Sequence, residues 1–99
     1  LRPGRNVIGR KAQASSANFQ IDTGEGRRMS REHIVIDVQR VGSEYMHTAS
    51  LYKERVNETF VNTDRMTIDD GLILKHGDIL HLPDADVKFT IDDGERTQL

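Results

Sequence analysis

Cysteine and tryptophan are both absent from the 99 residues. Without cysteine there are no disulfides, thiolate nucleophiles or Cys-type zinc sites. The absence fits a reducing compartment without requiring one. Two Tyr and three Phe are the only aromatics, poor material for a base-stacking surface. No apolar run approaches the ~18–20 residues of a membrane helix. No charged-then-apolar leader resembles a signal peptide. Membrane insertion is therefore not expected, and the cytoplasm is the expected location. The chain begins at Leu1 rather than Met, so it is expected to be a piece of something longer. Its length suits one domain with a single thin core.

Fourteen basic residues stand against sixteen acidic ones, a net charge of −2. That balance argues against general nucleic-acid affinity. The distribution is uneven. Residues 1–31 carry a net +5 and residues 32–99 a net −7. A basic first third in a mildly acidic chain points to a local anion site.

Helical periodicity is hard to find. Short β-branched and aliphatic runs recur between Gly, Asp, Asn and Pro. Val7-Ile8-Gly9 follows the turn signal Pro3-Gly4. Phe19 and Ile21 fall on one strand face; Ile34, Ile36 and Val38 alternate, with Val35 half-buried opposite. Tyr45, His47, Ala49 and Leu51 share a face, and Thr59-Phe60-Val61 is short and β-rich. Arg65–Ile68 and Leu72–Leu74 flank Asp69-Asp70-Gly71, which reads as a hairpin. Asp78–Leu82 is the next strand, stopped by Pro83-Asp84, and Val87, Phe89 and Ile91 alternate in the last. About ten short strands with close reverse turns indicate an all-β antiparallel sandwich or small barrel.

Three features stand out in order, and a fourth follows. Gly9-Arg10 sits where a strand should end, and Ser30-Arg31-Glu32-His33 precedes the clearest strand. Asn57-Glu58-Thr59-Phe60-Val61-Asn62 follows the Tyr45 strand, and Gly77-Asp78 opens the penultimate one. A phosphate ester carries about −1.5 to −2 charge and three strong acceptors. Arg10 is the best rigid cation for it, because guanidinium matches phosphate oxygens bidentately. Gly9 lets the backbone turn without a Cβ clash. Ser30 is a short neutral donor, Arg31 can add a second cation, and the Asn57 amide can clamp a peptide main chain.

This ordered set resembles the forkhead-associated (FHA) domain over roughly residues 4–92. The resemblance implies an FHA/SMAD-like antiparallel β-sandwich of about ten or eleven short strands. It would span residues 1–94, with 95–99 as a C-terminal tail. The implied function is non-catalytic binding of a phosphothreonine-containing protein or peptide, by a monomer needing no cofactor. Arg10 and Ser30 would bind phosphate, Arg31 would assist and Asn57 would hold the ligand backbone. Gly9, His33 and Asn62 would support the loops. Three positions depart from the family pattern: Val56 replaces Ser or Thr, and Glu58 and Thr63 replace Gly. If Glu58 needs φ > 0, it carries about 1–2 kcal/mol of strain. Its carboxylate would then lie near the phosphate entry.

Other readings are weaker. Arg27 and Arg28 read as solvated loop charges. His33 lacks a partner for an acid–base relay. His47, His76 and His81 have no metal spacing. The pairs Asp69-Asp70, Asp84/Asp86 and Asp92-Asp93 lack a calcium-loop framework and are explained by turns. Gly24-Glu25-Gly26 is too short for a nucleotide loop. The competing function is an assembly sandwich that binds its partner independently of phosphate, favoured by Val56 and Glu58.

Overall fold

Strand-forming runs this short are not stable singly or in isolated pairs; they need a second layer to cover their apolar face. In the computed structural model, which describes residues 1–53, 56–68 and 71–91, they supply each other with one. Nine strands occur among the described residues: β1 (Gly4–Arg10), β2 (Phe19–Ile21), β3 (Ile34–Val41), β4 (Glu44–Leu51), β5 (Phe60–Val61), β6 (Asp64–Arg65), β7 (Leu72–Ile73), β8 (Ile79–Leu82) and β9 (Ala85–Lys88). They form a five-stranded sheet, β2-β1-β3-β4-β7, and a four-stranded sheet, β6-β5-β8-β9. No helix among the described residues is long and apolar enough to cross a membrane.

The period-two pattern of β3 sets the layer. Ile34, Ile36 and Val38 point inward and join Ile8, Met29 and Ala49 from one side of the core. Val61, Met66, Leu74, Leu80, Leu82 and Phe89 complete it. The Tyr45–Leu51 face of β4 packs there as expected, with the His47 ring edge-on to Phe89 at 4.9 Å between centroids. Val35 is buried rather than half-buried. The segment between β1 and β2 folds over the outer face of the sheet, and Ala17 caps Val7 and Val35 in a small second cluster.

That same segment makes one pairing parallel. β2 runs beside β1 with Ile8 opposite Phe19 and Arg10 opposite Ile21, so the sandwich is not wholly antiparallel. The Asn18 side chain accepts a hydrogen bond from the Val7 amide at 2.9 Å and anchors the return.

The expected hairpin around Asp69-Asp70 does not form as a strand pair. Asp69 and Asp70 lie outside the described residues, but their flanks separate: β6 pairs with β5 in one sheet and β7 with β4 in the other. Pro83-Asp84 makes a tight turn, closing Leu82 onto Ala85, with Asp84 at φ 67°. The last strand ends at Lys88, before Phe89 and Ile91. The Asp92-Asp93 pair and the 95–99 tail lie outside the described residues.

Candidate functional site

The site is built on the segment linking β2 to β3, which several elements pin residue by residue. Met29 is completely buried and serves as its anchor. Its carbonyl accepts from Arg10 Nε at 3.1 Å, and the next carbonyl, Ser30, accepts from the Arg10 amide at 2.9 Å. Arg10, at the end of β1, is thereby held against Ser30 by both backbone and side chain. The interaction uses Nε and leaves the two terminal guanidinium nitrogens for an anion. The Ser30 hydroxyl donates to no acceptor among the described residues, although both its backbone groups are bonded. The Arg31 side chain is exposed beside it.

Gly9 is required by close approach rather than by a turn. It lies inside β1, where a Cβ would overlap the Arg31 carbonyl and the Glu32 amide. The strand and the β2–β3 segment are in backbone contact at that point, with no room for a methyl group.

His33 joins this loop to the next one. It is completely buried. The Ser30 amide donates to its Nδ1 at 3.0 Å, which puts the ring proton on Nε2. Nε2 then donates to Thr59 Oγ1 at 2.7 Å, and Thr59 donates to the Asn57 carbonyl at 2.9 Å. The chain of bonds runs Ser30, His33, Thr59, Asn57. Burial, and secondarily the Lys53 charge, lower the His33 pKa from 6.5 to about 4. A neutral ring is what this chain requires, because a proton on Nδ1 would break the Ser30 bond.

Asn57 closes the circuit. Its Nδ2 donates to the Arg28 carbonyl at 2.7 Å. Asn57 and Arg10 therefore grip successive carbonyls of one segment, Arg28 and Met29. Two open depressions of about 230 and 410 Å³ flank Asn57 and Glu58.

The structure thus brings Gly9, Arg10, Ser30, Arg31, His33 and Asn57 together. Asn62 is elsewhere. It sits past the other end of β5 at φ 55°, bonding Asp78 Oδ1 through Nδ2 and the Ile79 amide through Oδ1, both at 3.0 Å. It braces the β5–β6 turn against the start of β8. The Lys75 amide and, secondarily, the Asn62 Nδ2 donate to the Asp78 carboxylate and hold its pKa below the usual value.

Glu58 also differs from expectation. Among the described non-glycine residues only Asn62 and Asp84 have positive φ, so Glu58 is unstrained. Its carboxylate turns to Arg65 at 3.6 Å. Arg28 is no free loop charge, because Asp84 accepts from its amide and its guanidinium. Thr59 joins the site without a motif of its own. Its only local signal is a hydroxyl two positions after Asn57, inside a β-rich run. The segment between β1 and β2 also touches the site, because Ser15 Oγ donates to the Arg31 carbonyl at 2.8 Å. Ser16 donates to Glu32 from both hydroxyl and amide, which lowers the Glu32 pKa. No cluster of three or more metal-ligating side chains occurs among the described residues.

Comparison with known proteins gives one consistent result. The sequence model of the FHA domain matches residues 6–83. A structure from a study of phosphothreonine-dependent FHA domain interactions aligns with a TM-score of 0.67 at 26% identity, covering 93% of this chain and 81% of that one. The MEK1 FHA domain, solved with a HOP1 phosphothreonine peptide, aligns with a TM-score of 0.71 at 19% identity, covering 94% and 85%. The FhaA FHA domain, solved with the intracellular domain of a partner protein, aligns with a TM-score of 0.64 at 24% identity, covering 87% and 79%. These last two, below 25% identity, speak to the fold alone. No curated protein matches the sequence significantly.

Proposed function

Because the chain belongs to the FHA domain family, we propose that it is a phosphothreonine-dependent binding module that recruits a phosphorylated protein or peptide without catalysis. The observation that carries this reading is the registration of Arg10 against Ser30. The strand end and the loop share a backbone hydrogen bond, Arg10 Nε is tied down, and the terminal guanidinium groups and the Ser30 hydroxyl remain for a ligand.

In this reading the phosphate takes the Arg10 guanidinium in a forked contact and the Ser30 hydroxyl as a third donor. Arg31, exposed on the same loop, adds charge. Hydrogen bonds to a charged group contribute about 1.5–3 kcal/mol each. Two or three of them separate phosphorylated from plain peptide by well over tenfold. The donors are held in place before binding, so little ordering entropy opposes capture. Asn57 holds the ligand main chain through its exposed amide, with the depressions on either side receiving flanking side chains. Gly9 and His33 keep the two loops in register, and Asn62 supports the fold at a distance. The domain acts as a monomer in the cytoplasm, where threonine kinases supply its ligand.

The test is isothermal titration with matched phosphothreonine and unphosphorylated peptides from an oriented library. Wild-type protein binds the phosphorylated form selectively. Arg10→Ala and Ser30→Ala each weaken binding by about tenfold or more without unfolding the domain. Undiminished affinity in Arg10→Ala would falsify the proposed pocket. A partner bound equally well with and without phosphate would instead favour the phosphate-independent assembly role.

A further inference from the structure

The loop that carries Ser30 is gripped from the β1 side by Arg10 and from the β5 side by Asn57. A third grip comes from the far sheet and lies just beyond the stretch matched by the family model. Asp84, at the tip of the β8–β9 turn, accepts from the Arg28 amide at 3.0 Å through Oδ2. Its Oδ1 accepts from Arg28 Nε at 3.0 Å and from a terminal guanidinium nitrogen at 2.9 Å. The Asp84 side chain is only 18% exposed, though its Arg28 partner is 72% exposed. On the other side of the carboxylate stands Gly26, where a Cβ would meet Asp84 Oδ2 at 2.6 Å. The carboxylate is thus seated in the backbone of the 26–28 segment.

We infer that Asp84 is a positioning residue for the phosphate site, acting through the Arg28 backbone to hold Ser30 where Arg10 can share its anion. This rests on the function proposed above for Arg10 and Ser30. Arg28 has its amide on Asp84 and its carbonyl on Asn57, at 2.7 Å. The peptide units entering and leaving Arg28 are therefore each held from outside the loop. Met29 and Ser30 follow directly, and their carbonyls are the ones Arg10 uses. Without Asp84, the segment would pivot on the Asn57 bond, and the two residues between Arg28 and Arg31 would lose one of their fixed ends. The turn is built for this. Pro83 presets its first position, and Asp84 takes the left-handed conformation that aspartate tolerates, φ 67°.

The test compares Asp84→Gly, Asp84→Asn and wild type. Glycine removes the carboxylate and relaxes at positive φ, so the turn survives. Asparagine keeps a carbonyl oxygen for the Arg28 amide. Affinity is measured for a phosphothreonine peptide selected from an oriented library, and amide hydrogen exchange is followed at Arg28 and Ser30 in the free protein. The expected result is about tenfold weaker binding and faster exchange at both amides in Asp84→Gly, with both largely restored in Asp84→Asn. A merely stabilising turn residue would lower the melting temperature and leave affinity of the folded domain and Ser30 exchange alone. That outcome overturns the inference. If wild type binds no phosphopeptide, the functional reading fails, but the exchange measurement still decides whether Asp84 orders the Ser30 loop.

Discussion

The burial of a neutral His33 makes a quantitative demand on how stability varies with pH. The ring is completely buried, and its pKa is lowered from 6.5 to about 4. In the unfolded chain it returns to about 6.5. Above that value the imidazole is neutral in both states and costs nothing. As pH falls from 6.5 toward 4, the unfolded chain takes up a proton that the folded chain refuses, so folding is progressively opposed. Below about 4 both states are protonated and the loss saturates. The full gap corresponds to about 3 kcal/mol, of which about 2.5 is lost by pH 4.5. Carboxylates held below their usual pKa by hydrogen bonds, such as Asp78, Glu32 and Asp84, also make stability fall toward acid pH, so the measurement is a difference. His33→Asn keeps an acceptor for the Ser30 amide and cannot be protonated there. Urea unfolding followed by far-ultraviolet circular dichroism gives stabilities of both proteins between about pH 7 and 4.5. Wild type should lead near neutrality, and its lead should shrink by about 2.5 kcal/mol at the acid end. A lead that stays constant across the range would mean that His33 is not held neutral by burial, and the proton assignment along Ser30–His33–Thr59 would go with it.

Other expectations follow from the same contacts. Gly9→Ala drives a methyl group into the Arg31 carbonyl. It should cost about 1–3 kcal/mol in thermal or urea unfolding and weaken phosphopeptide binding; unchanged affinity would show that the strand and loop are not in rigid register. Thr59→Val leaves the His33 Nε2 proton without an acceptor and frees the Asn57 carbonyl. A loss of about 1–3 kcal/mol is expected, with Thr59→Ser restoring most of it; a neutral valine variant would count against the relay. Phosphopeptide affinity measured by titration calorimetry should fall below about pH 6, as the phosphate loses its second charge, and a flat profile would point to another ligand.

Local features were legible where local chemistry decides. The alternation of Ile34, Ile36 and Val38 marks a strand with one buried face, because side chains on a strand alternate between its faces. Gly9-Arg10 and Ser30 through His33 carry the donors an oxyanion needs, and both clusters end at the same place in the fold. What turned out differently depends on partners distant in the chain. The Asp69-Asp70-Gly71 stretch has turn chemistry, but turn chemistry does not say which sheet receives the next strand, and β6 and β7 part. Glu58 stands where the family has glycine, yet its backbone stays at ordinary φ. The parallel β1–β2 pair depends on the intervening segment packing over Val7 and Val35, a contact no local pattern announces.

The amino-acid order by itself determined the fold class and the charged and hydroxyl groups offered to an anion, since these follow from periodicity, spacing and residue chemistry, and it carried the motifs in which the chain resembles its family. Only the folded chain decided how those groups are held. Thr59 reaches His33 across 26 residues and Asp84 reaches Arg28 across 56. Hydrogen bonds over such separations exist only after the two sheets have packed, so the rigidity of the site belongs to the sandwich as a whole.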